Sequence, residues 1–233
     1  MKLQLHHSLS TKRSQSLKAI ALGLSTAKGR KIWRTAKLNP KRNNLFYGQS
    51  VNKIVQYNYF KANDIPSLEF TTDKEVVDNW LTDGATVFGR TLLNSSCGKG
   101  IVILNEESED IPDCKVYTLY KKKKREFRVH VYKDTVVAVV EKKRKKEFTG
   151  ERDTKIRNLA NGYVFCQSVE NEPEGLRPLA RRAAKVSPSH FRGVDIGYNE
   201  KKDELFVIEV NSAPGIQGSN VTAYINTIIT SEI

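Results

Sequence analysis

Residues 191–211 read FRGVDIGYNEKKDELFVIEVN, and no other stretch constrains the chain as tightly. Two apolar runs flank the polar turn NEKKDE, so the segment reads as a β-hairpin. Each run carries a carboxylate among apolar neighbours: Asp195 between Val194 and Ile196, and Glu209 between Ile208 and Val210. A buried carboxylate without a partner is costly, so these two acids need partners. Side chains two positions apart share one face of a strand, which adds Asn211 to Glu209. An antiparallel register that sets Asp195 opposite Glu209 also sets Gly193 opposite Asn211. Three hard oxygen donors then converge at one end of a sheet. Such a set suits Mg²⁺, which keeps part of its water shell and takes other ligands from substrate phosphates. A surface hairpin with scattered charges is the plainer reading, but the apolar setting of both acids favours the metal. Ser212-Ala213-Pro214-Gly215 then turns the chain away.

The rest of the chain reads as α+β. Leu17, Ile20, Ala21 and Leu24 have helical spacing, with Ser14 or Ser16 as N-cap. Residues 37–44 read as loop. Residues 52–64 read as a helix with Ile54, Val55, Tyr59 or Asn58, and Ala62 on its apolar side. Asp73 caps a helix carrying Val76, Val77, Trp80 and Leu81. Residues 85–93 and 101–104 form a hairpin around a small-residue loop, and strands follow at 114–120, 125–132 and 135–143. Residues 154–167 read as irregular. A helix with Leu176, Leu179, Ala180 and Ala183 inward precedes the 191–211 hairpin, and a last helix covers 219–233. Helices followed by mostly antiparallel strands argue against a run of βαβ units.

The 233 residues carry a net charge of +13, which favours a polyanionic partner: nucleic acid, nucleotide or an acidic substrate. No run approaches the roughly 18 apolar residues of a membrane span, so no membrane partner is expected. Three cysteines without metal-ligand spacing suit a reduced, cytoplasmic compartment.

Further motifs carry chemistry. In GRTLLNSSCGKG, Ser95, Ser96, Gly98 and Gly100 let backbone N–H groups approach an anion, and Lys99 adds charge. It is not a P-loop, because the spacing G-x-x-x-x-G-K-S/T is absent and a strand follows. Arg90 reads equally well as an outward strand residue or as a cation for the same anion. In REFRVHVY, Glu126, Arg128 and His130 alternate with apolar residues; a two-sided strand explains this, and so does an Arg128 aimed at a phosphate or acyl-phosphate oxygen. Lys142 or Arg144, with Arg157 and Asn158, add cationic and amide donors to the same cavity. The runs KKKKR (121–125) and KKRKK (142–146) read as solvated strand ends. His6, His7 and Cys97 are given no role.

GVDIGY with FVIEVNSAPGI resembles the metal-binding end of ATP-grasp enzymes, in particular the ribosomal-protein glutamate ligases and related carboxylate–amine ligases. REFRVHV resembles that branch's acid-x-Arg strand, with Glu126 where Asp is usual. KIRNLANGYVF is similar to its Arg/Asn segment, and VFGRTLLNSSCGKGIVIL to its phosphate-covering hairpin, with Arg90 where a lysine usually stands. VYTLY falls where the adenine hinge lies, which implies nucleotide contacts from Tyr117, Thr118 and Leu119; the usual hinge glutamate is replaced near Thr118. The compact layout is most similar to small members encoded by bacteriophages.

The resemblance implies an ATP-grasp fold of two α+β subdomains with mainly antiparallel sheets enclosing the nucleotide. It divides the chain into a short N-terminal segment (1–50), a subdomain of helices and glycine-rich hairpin (51–116), and a C-terminal subdomain with the metal site (117–233). It implies ATP and Mg²⁺, with Mn²⁺ as a substitute, held by Asp195, Glu209 and Asn211. Arg90, the 95–100 loop, the hinge and Lys142 would hold the nucleotide. Arg128, Arg157 and Asn158 would stabilise an acyl phosphate as a carboxylate is joined to an amine. The acceptor is left open between amino acid, peptide, protein and nucleic acid, in a cytoplasm that is the host's if the chain is phage-encoded. Two other readings remain: a basic nucleic-acid- or protein-binding module on a non-ligase ATP-grasp fold, and a kinase-like enzyme that stops at a phosphorylated product. No residue stands out as a general base, and the oligomeric state is not readable.

Overall fold

A computed structural model describes residues 2–93, 100–150 and 154–232. Among these residues the chain forms three sheets in succession.

The first is parallel. It comprises β1 (Lys2–His7), β2 (Trp33–Thr35) and β3 (Arg42–Tyr47), ordered β2-β1-β3, with α1 (Gln15–Lys28) crossing between β1 and β2. Parallel neighbours need such a crossover. Ser14 caps α1, its hydroxyl accepting from Leu17 N at 3.3 Å, and Gly29 ends it at φ 58°. Leu3, Leu5 and Leu45 of the sheet meet Leu17, Ile20 and Leu24 of α1 in one core. The expected loop over 37–44 therefore ends early, at Arg42. Polar residues open β3 and hid it: Asn43 donates to Glu232 Oε2 at 2.7 Å, and Asn44 Oδ1 accepts from Gln4 Nε2 at 3.1 Å.

Next come α2 (Lys53–Ala62), β4 (Phe70–Thr71), α3 (Lys74–Thr82), β5 (Val87–Arg90), β6 (Ile101–Leu104) and β7 (Val116–Leu119). The strands form an antiparallel sheet ordered β4-β7-β5-β6, covered by Val77 and Leu81 of α3. The 85–104 hairpin is present as β5 and β6. On α2 the expected apolar side is corrected in part: Ile54 and Tyr59 pack against the core at its margin, whereas Val55 and Ala62 are exposed. The buried residues are Lys53, Gln56, Tyr57 and Phe60, while Val55 is 48% exposed. Polar contacts set the helix's rotation. Gln56 Oε1 accepts from Val210 N at 2.8 Å and its Nε2 donates to Val210 O at 3.1 Å. One side-chain amide thus finishes the edge of a strand.

That strand belongs to the third sheet. The elements are β8 (Arg125–Tyr132), β9 (Thr135–Arg144), β10 (Tyr163–Cys166), α4 (Leu176–Ala184), β11 (Phe191–Asn199), β12 (Glu204–Asn211) and α5 (Ser219–Glu232). The sheet is antiparallel, ordered β10-β9-β8-β11-β12. Leu176, Leu179, Ala180 and Ala183 of α4 bury one face, as the spacing predicts. Residues 154–167 are not wholly irregular, since β10 pairs with β9 there. Tyr224 and Ile228 of α5 complete the core of the parallel sheet.

Candidate active site

The hairpin register is the expected one: Asp195 lies opposite Glu209, and Gly193 opposite Asn211. On its other side β11 sets Asp195 opposite Arg128 of β8. One row across three strands therefore carries Arg128, Asp195 and Glu209. Residues two positions along share that face, which adds Glu126 on β8 and Asn211 on β12. The opposite face holds Phe127, Val129, Val194 and Ile196 in the core. Gly193 permits the arrangement, since a Cβ there would lie 2.9 Å from Pro214 Cβ and 3.2 Å from Arg128 Cδ. Pro214 of the terminal turn thus packs against the strand that carries Asp195.

This polar face floors a cavity of about 620 Å³, roofed by the β4–β7 sheet. Arg90, Thr118, Leu119, Arg128, Lys142, Arg157, Asn158, Asp195, Glu209 and Asn211 all line it. Tyr117 does not, which corrects its expected place. Its side chain points to the α3 side, where its hydroxyl donates to Pro112 O at 2.5 Å and accepts from Cys114 N at 3.0 Å. Alternation along β7 turns Thr118 inward in its stead. Gly100, at φ 71°, does not line the cavity either; its carbonyl accepts from Thr91 N at 2.9 Å. Ser95, Ser96, Gly98 and Lys99 lie outside the described residues.

The acids meet protein cations. Arg128 grips Asp195 with both prongs, Nε to Oδ1 at 2.7 Å and Nη2 to Oδ2 at 2.8 Å. Burial disfavours the charged guanidinium, and Asp195 overrides it, so the Arg128 pKa is raised. The Phe165 ring lies 4.4 Å from the guanidinium carbon. Lys142 Nζ is 2.5 Å from Glu126 Oε1 and 3.6 Å from Asp195 Oδ2. Lys53 forms an ion pair with Glu209 Oε2. Burial pushes the Glu209 carboxyl up, but Lys53, Arg90 and Lys142 outweigh it and hold it at about 2. Asn211 Nδ2 donates to Glu209 Oε1 at 3.2 Å and lies 3.5 Å from Asp195 Oδ2. Arg90 is 8% exposed, and its Nε is buried without a hydrogen-bond partner among the described residues. Arg157 donates through Nη2 to Lys123 O and Lys124 O at 3.0 and 3.1 Å, while Asn158 Oδ1 accepts from Asn161 N at 2.9 Å.

Several site residues escaped the sequence reading, Lys53 and Lys123 among them. Lys53 was passed over because the 52–64 helix was read with the neighbouring Ile54 and Val55 inward. Lys123 was read as part of a solvated run, yet its side chain is 8% exposed and reaches within 3.7 Å of Glu126 Oε2. Burial lowers its pKa. Alternation along KKKKR is the signal that separates it, since Lys124, the next residue, points to Glu200 at the surface.

Two carboxylates and an amide at one sheet end fit a hard divalent cation. Among the described residues no cluster of three His, Cys, Asp or Glu side chains stands ready as a metal cage. A cation here would draw on Asn211 and on ligands from its substrate.

Residues 92–231 match the model of the RimK-like ATP-grasp domain. No curated protein matches the sequence. Solved structures do match along the whole chain. ATP-grasp ligase PsnB complexed with a minimal precursor superposes at a TM-score of 0.70, with 10% identity over 99% of both chains. D-alanine–D-alanine ligase from Bacillus anthracis gives 0.60, with 11% identity over 99% of this chain and 92% of that one. Macrocyclase MdnC from Microcystis aeruginosa, bound with precursor peptide MdnA, gives 0.60, with 8% identity over 100% of both. At such identities the likeness is one of fold.

Proposed function

The chain belongs to the RimK-like ATP-grasp family of ATP-dependent carbon–nitrogen ligases, and on that premise we propose that it joins a carboxylate to an amine through an acyl phosphate. The observation that carries this reading is the charge of the cavity. Seven cationic side chains line it against three acids, Glu126, Asp195 and Glu209. An excess of four positive charges suits a triphosphate lying over the acid row. Mg²⁺, when bound by Asp195, Glu209 and Asn211, would neutralise charge as the γ-phosphoryl moves.

The chain's own residues do the rest by position and charge. Arg90, whose Nε has no hydrogen-bond partner among the described residues, would hold a phosphate oxygen. Lys123 and Lys142 flank Glu126, and their charge would favour the attack of a carboxylate oxygen on the γ-phosphorus. Arg128, which grips Asp195 across the strands, would offer its fork to the acyl phosphate and then to the tetrahedral oxyanion formed when the amine attacks, before inorganic phosphate leaves. Arg157 and Asn158 close the far wall of the same cavity. PsnB and MdnC are complexed with precursor peptides. We take a peptide as one of the two partners here as well, its carboxylate drawn by the same positive field.

The test is ADP release with and without Mg²⁺, screened against amino acids and acidic peptides singly and in pairs. Release should require Mg²⁺ and both co-substrates, and Glu209→Ala should abolish it. Full turnover by that variant would sink the metal assignment. A stable phosphorylated product formed without any amine would make the enzyme kinase-like. Absence of ATP binding in a calorimeter would leave a binding module on this fold.

A further inference from the structure

The parallel sheet takes no part in the cavity, and its charge is of a different kind. Residues 1–63 contain thirteen lysines and arginines and not one aspartate or glutamate; the first acid of the chain is Asp64. Eleven of these cations fall within residues 2–42. Among the described residues none of the eleven is in an ion pair; the salt bridge nearest in sequence is that of Lys53.

The register puts several of them on one face. Leu3 and Leu5 of β1 point to the core shared with α1 and α5, so Lys2, Gln4 and His6 point the other way. Arg42 of β3 is in register with Lys2, and Trp33 of β2 with Gln4, so both lie on that outer face. The loop after β2 folds across it: Gln4 Nε2 donates to Lys37 O at 2.9 Å, and His6 Nε2 lies 3.0 Å from Ala36 O. That loop brings Lys37 and Lys41, both exposed. Trp33 stands half exposed at the free edge of the sheet, with Lys31 Nζ 4.0 Å from its ring centre.

We propose that the outer face of this sheet, built from Lys2, Lys31, Trp33, Lys37, Lys41 and Arg42, is a binding surface for single-stranded nucleic acid. Cations without acids among them attract phosphates and give up condensed counterions on binding. An exposed indole among those cations adds a stacking platform for a base, which an acidic peptide would not use. The surface is independent of the cavity, so the proposal stands or falls apart from the ligase reading.

A fluorescently labelled 20-mer oligonucleotide titrated with the full chain at several salt concentrations tests it. The wild type should bind with steep salt dependence. The triple variant Lys31→Glu, Lys37→Glu, Lys41→Glu should lose at least tenfold in affinity, and the slope of log K against log salt should fall by about 2, at roughly 0.7 per phosphate contact on single strands. Trp33→Ala should cost about tenfold by removing the stacking platform. Intrinsic tryptophan emission should be quenched by oligonucleotide in the wild type and much less in Trp33→Phe. The far-UV circular dichroism of the triple variant should match that of the wild type, which shows that it is folded. Undiminished oligonucleotide binding by that folded variant would overturn the proposal, as would capture by phosphatidylserine vesicles with no oligonucleotide binding.

Discussion

Two regions of this molecule spend positive charge in opposite ways. Around the acid row Arg128, Lys142 and Lys53 are buried or nearly so and engage Asp195, Glu126 and Glu209 at contact distance. On the parallel sheet the cations are exposed or half-buried, and none is in an ion pair among the described residues. The difference follows from solvent. A charge taken out of water needs a partner in good geometry, whereas one left in water is screened within about 10 Å and needs none. Cavity charges must therefore be specified by strand register, residue by residue. Surface charges need only composition. The comparison also says where mutation should hurt.

The largest effect is expected at Asp195. Replacing it by alanine strands Arg128 in a site where its side chain is 14% exposed. Removal of one member of a buried pair costs about 3–5 kcal/mol. Urea unfolding of Asp195→Ala should show a loss of that order, with a smaller one for Asp195→Ala combined with Arg128→Met. A single-variant loss below about 1 kcal/mol, the usual worth of an exposed pair, would erase the distinction between the two regions.

A pH titration sharpens it next. Burial, reinforced by Arg128, lowers the His130 pKa from 6.5 to about 4. The folded state thus binds fewer protons than the unfolded chain between these values, so stability rises with pH from about 4 to 6.5 and falls as the solution is acidified through that window. A shift of this size corresponds to about 3 kcal/mol at full burial, and His130 is 1% exposed. His190 is also lowered to about 4 by burial, and its Nδ1 accepts from Phe46 N at 3.1 Å, a bond that protonation would break. Glu209, held at about 2, adds stability fully present above about 4.5 and lost as pH falls from there toward 2. Urea midpoints measured from pH 7 to pH 3 should fall in two stages, and His130→Gln should flatten the first. A profile indifferent to that substitution would remove His130 from the account.

Legibility in the sequence divides along the same line. The Asp195–Glu209 register and the four inward residues of α4 were readable, because period-two and helical spacing carry that information directly. The parallel sheet was not: KLQLHH and RNNLFY are short, and their polar side chains find partners only in the folded chain, as Asn43 does in Glu232. The rotation of α2 was misread for a related reason. Its buried face begins with Lys53 and Gln56, which hydropathy assigns to solvent, and only Glu209 and the edge of β12 make them inward residues. In KKKKR, one lysine enters the cavity wall and the next points to Glu200, a difference that composition alone conceals.

Gln56 is the place to break the link between α2 and the site with a moderate effect. Its two bonds to Val210 fix the strand between Glu209 and Asn211. Gln56→Ala leaves the Val210 N–H and carbonyl short of partners in a buried setting, at a cost of about 1–3 kcal/mol. Metal affinity should weaken with it, since the flanking ligands lose their brace. Unchanged Mg²⁺ binding in a variant destabilised to that extent would show that Lys53 and Asn211 position Glu209 without the brace from Gln56.

The smallest effect should have the opposite sign. Lys37 is exposed on the acid-free face. Surface substitutions of this kind usually stay within about 0.5 kcal/mol, and here the direction is set by like-charge repulsion among Lys2, Lys31, Lys41 and Arg42. Lys37→Glu relieves that repulsion and places an acid among cations, so it should stabilise the fold by a few tenths of a kcal/mol at low salt, about the worth of an exposed pair. The gain should shrink as salt is raised and the Debye length shortens. Reversing a charge should thus be ruinous in the cavity and mildly favourable on the sheet. A destabilisation by Lys37→Glu that persists at high salt would mean that the lysine packs or bonds within the fold, and that the face is held by contacts rather than left open for a partner.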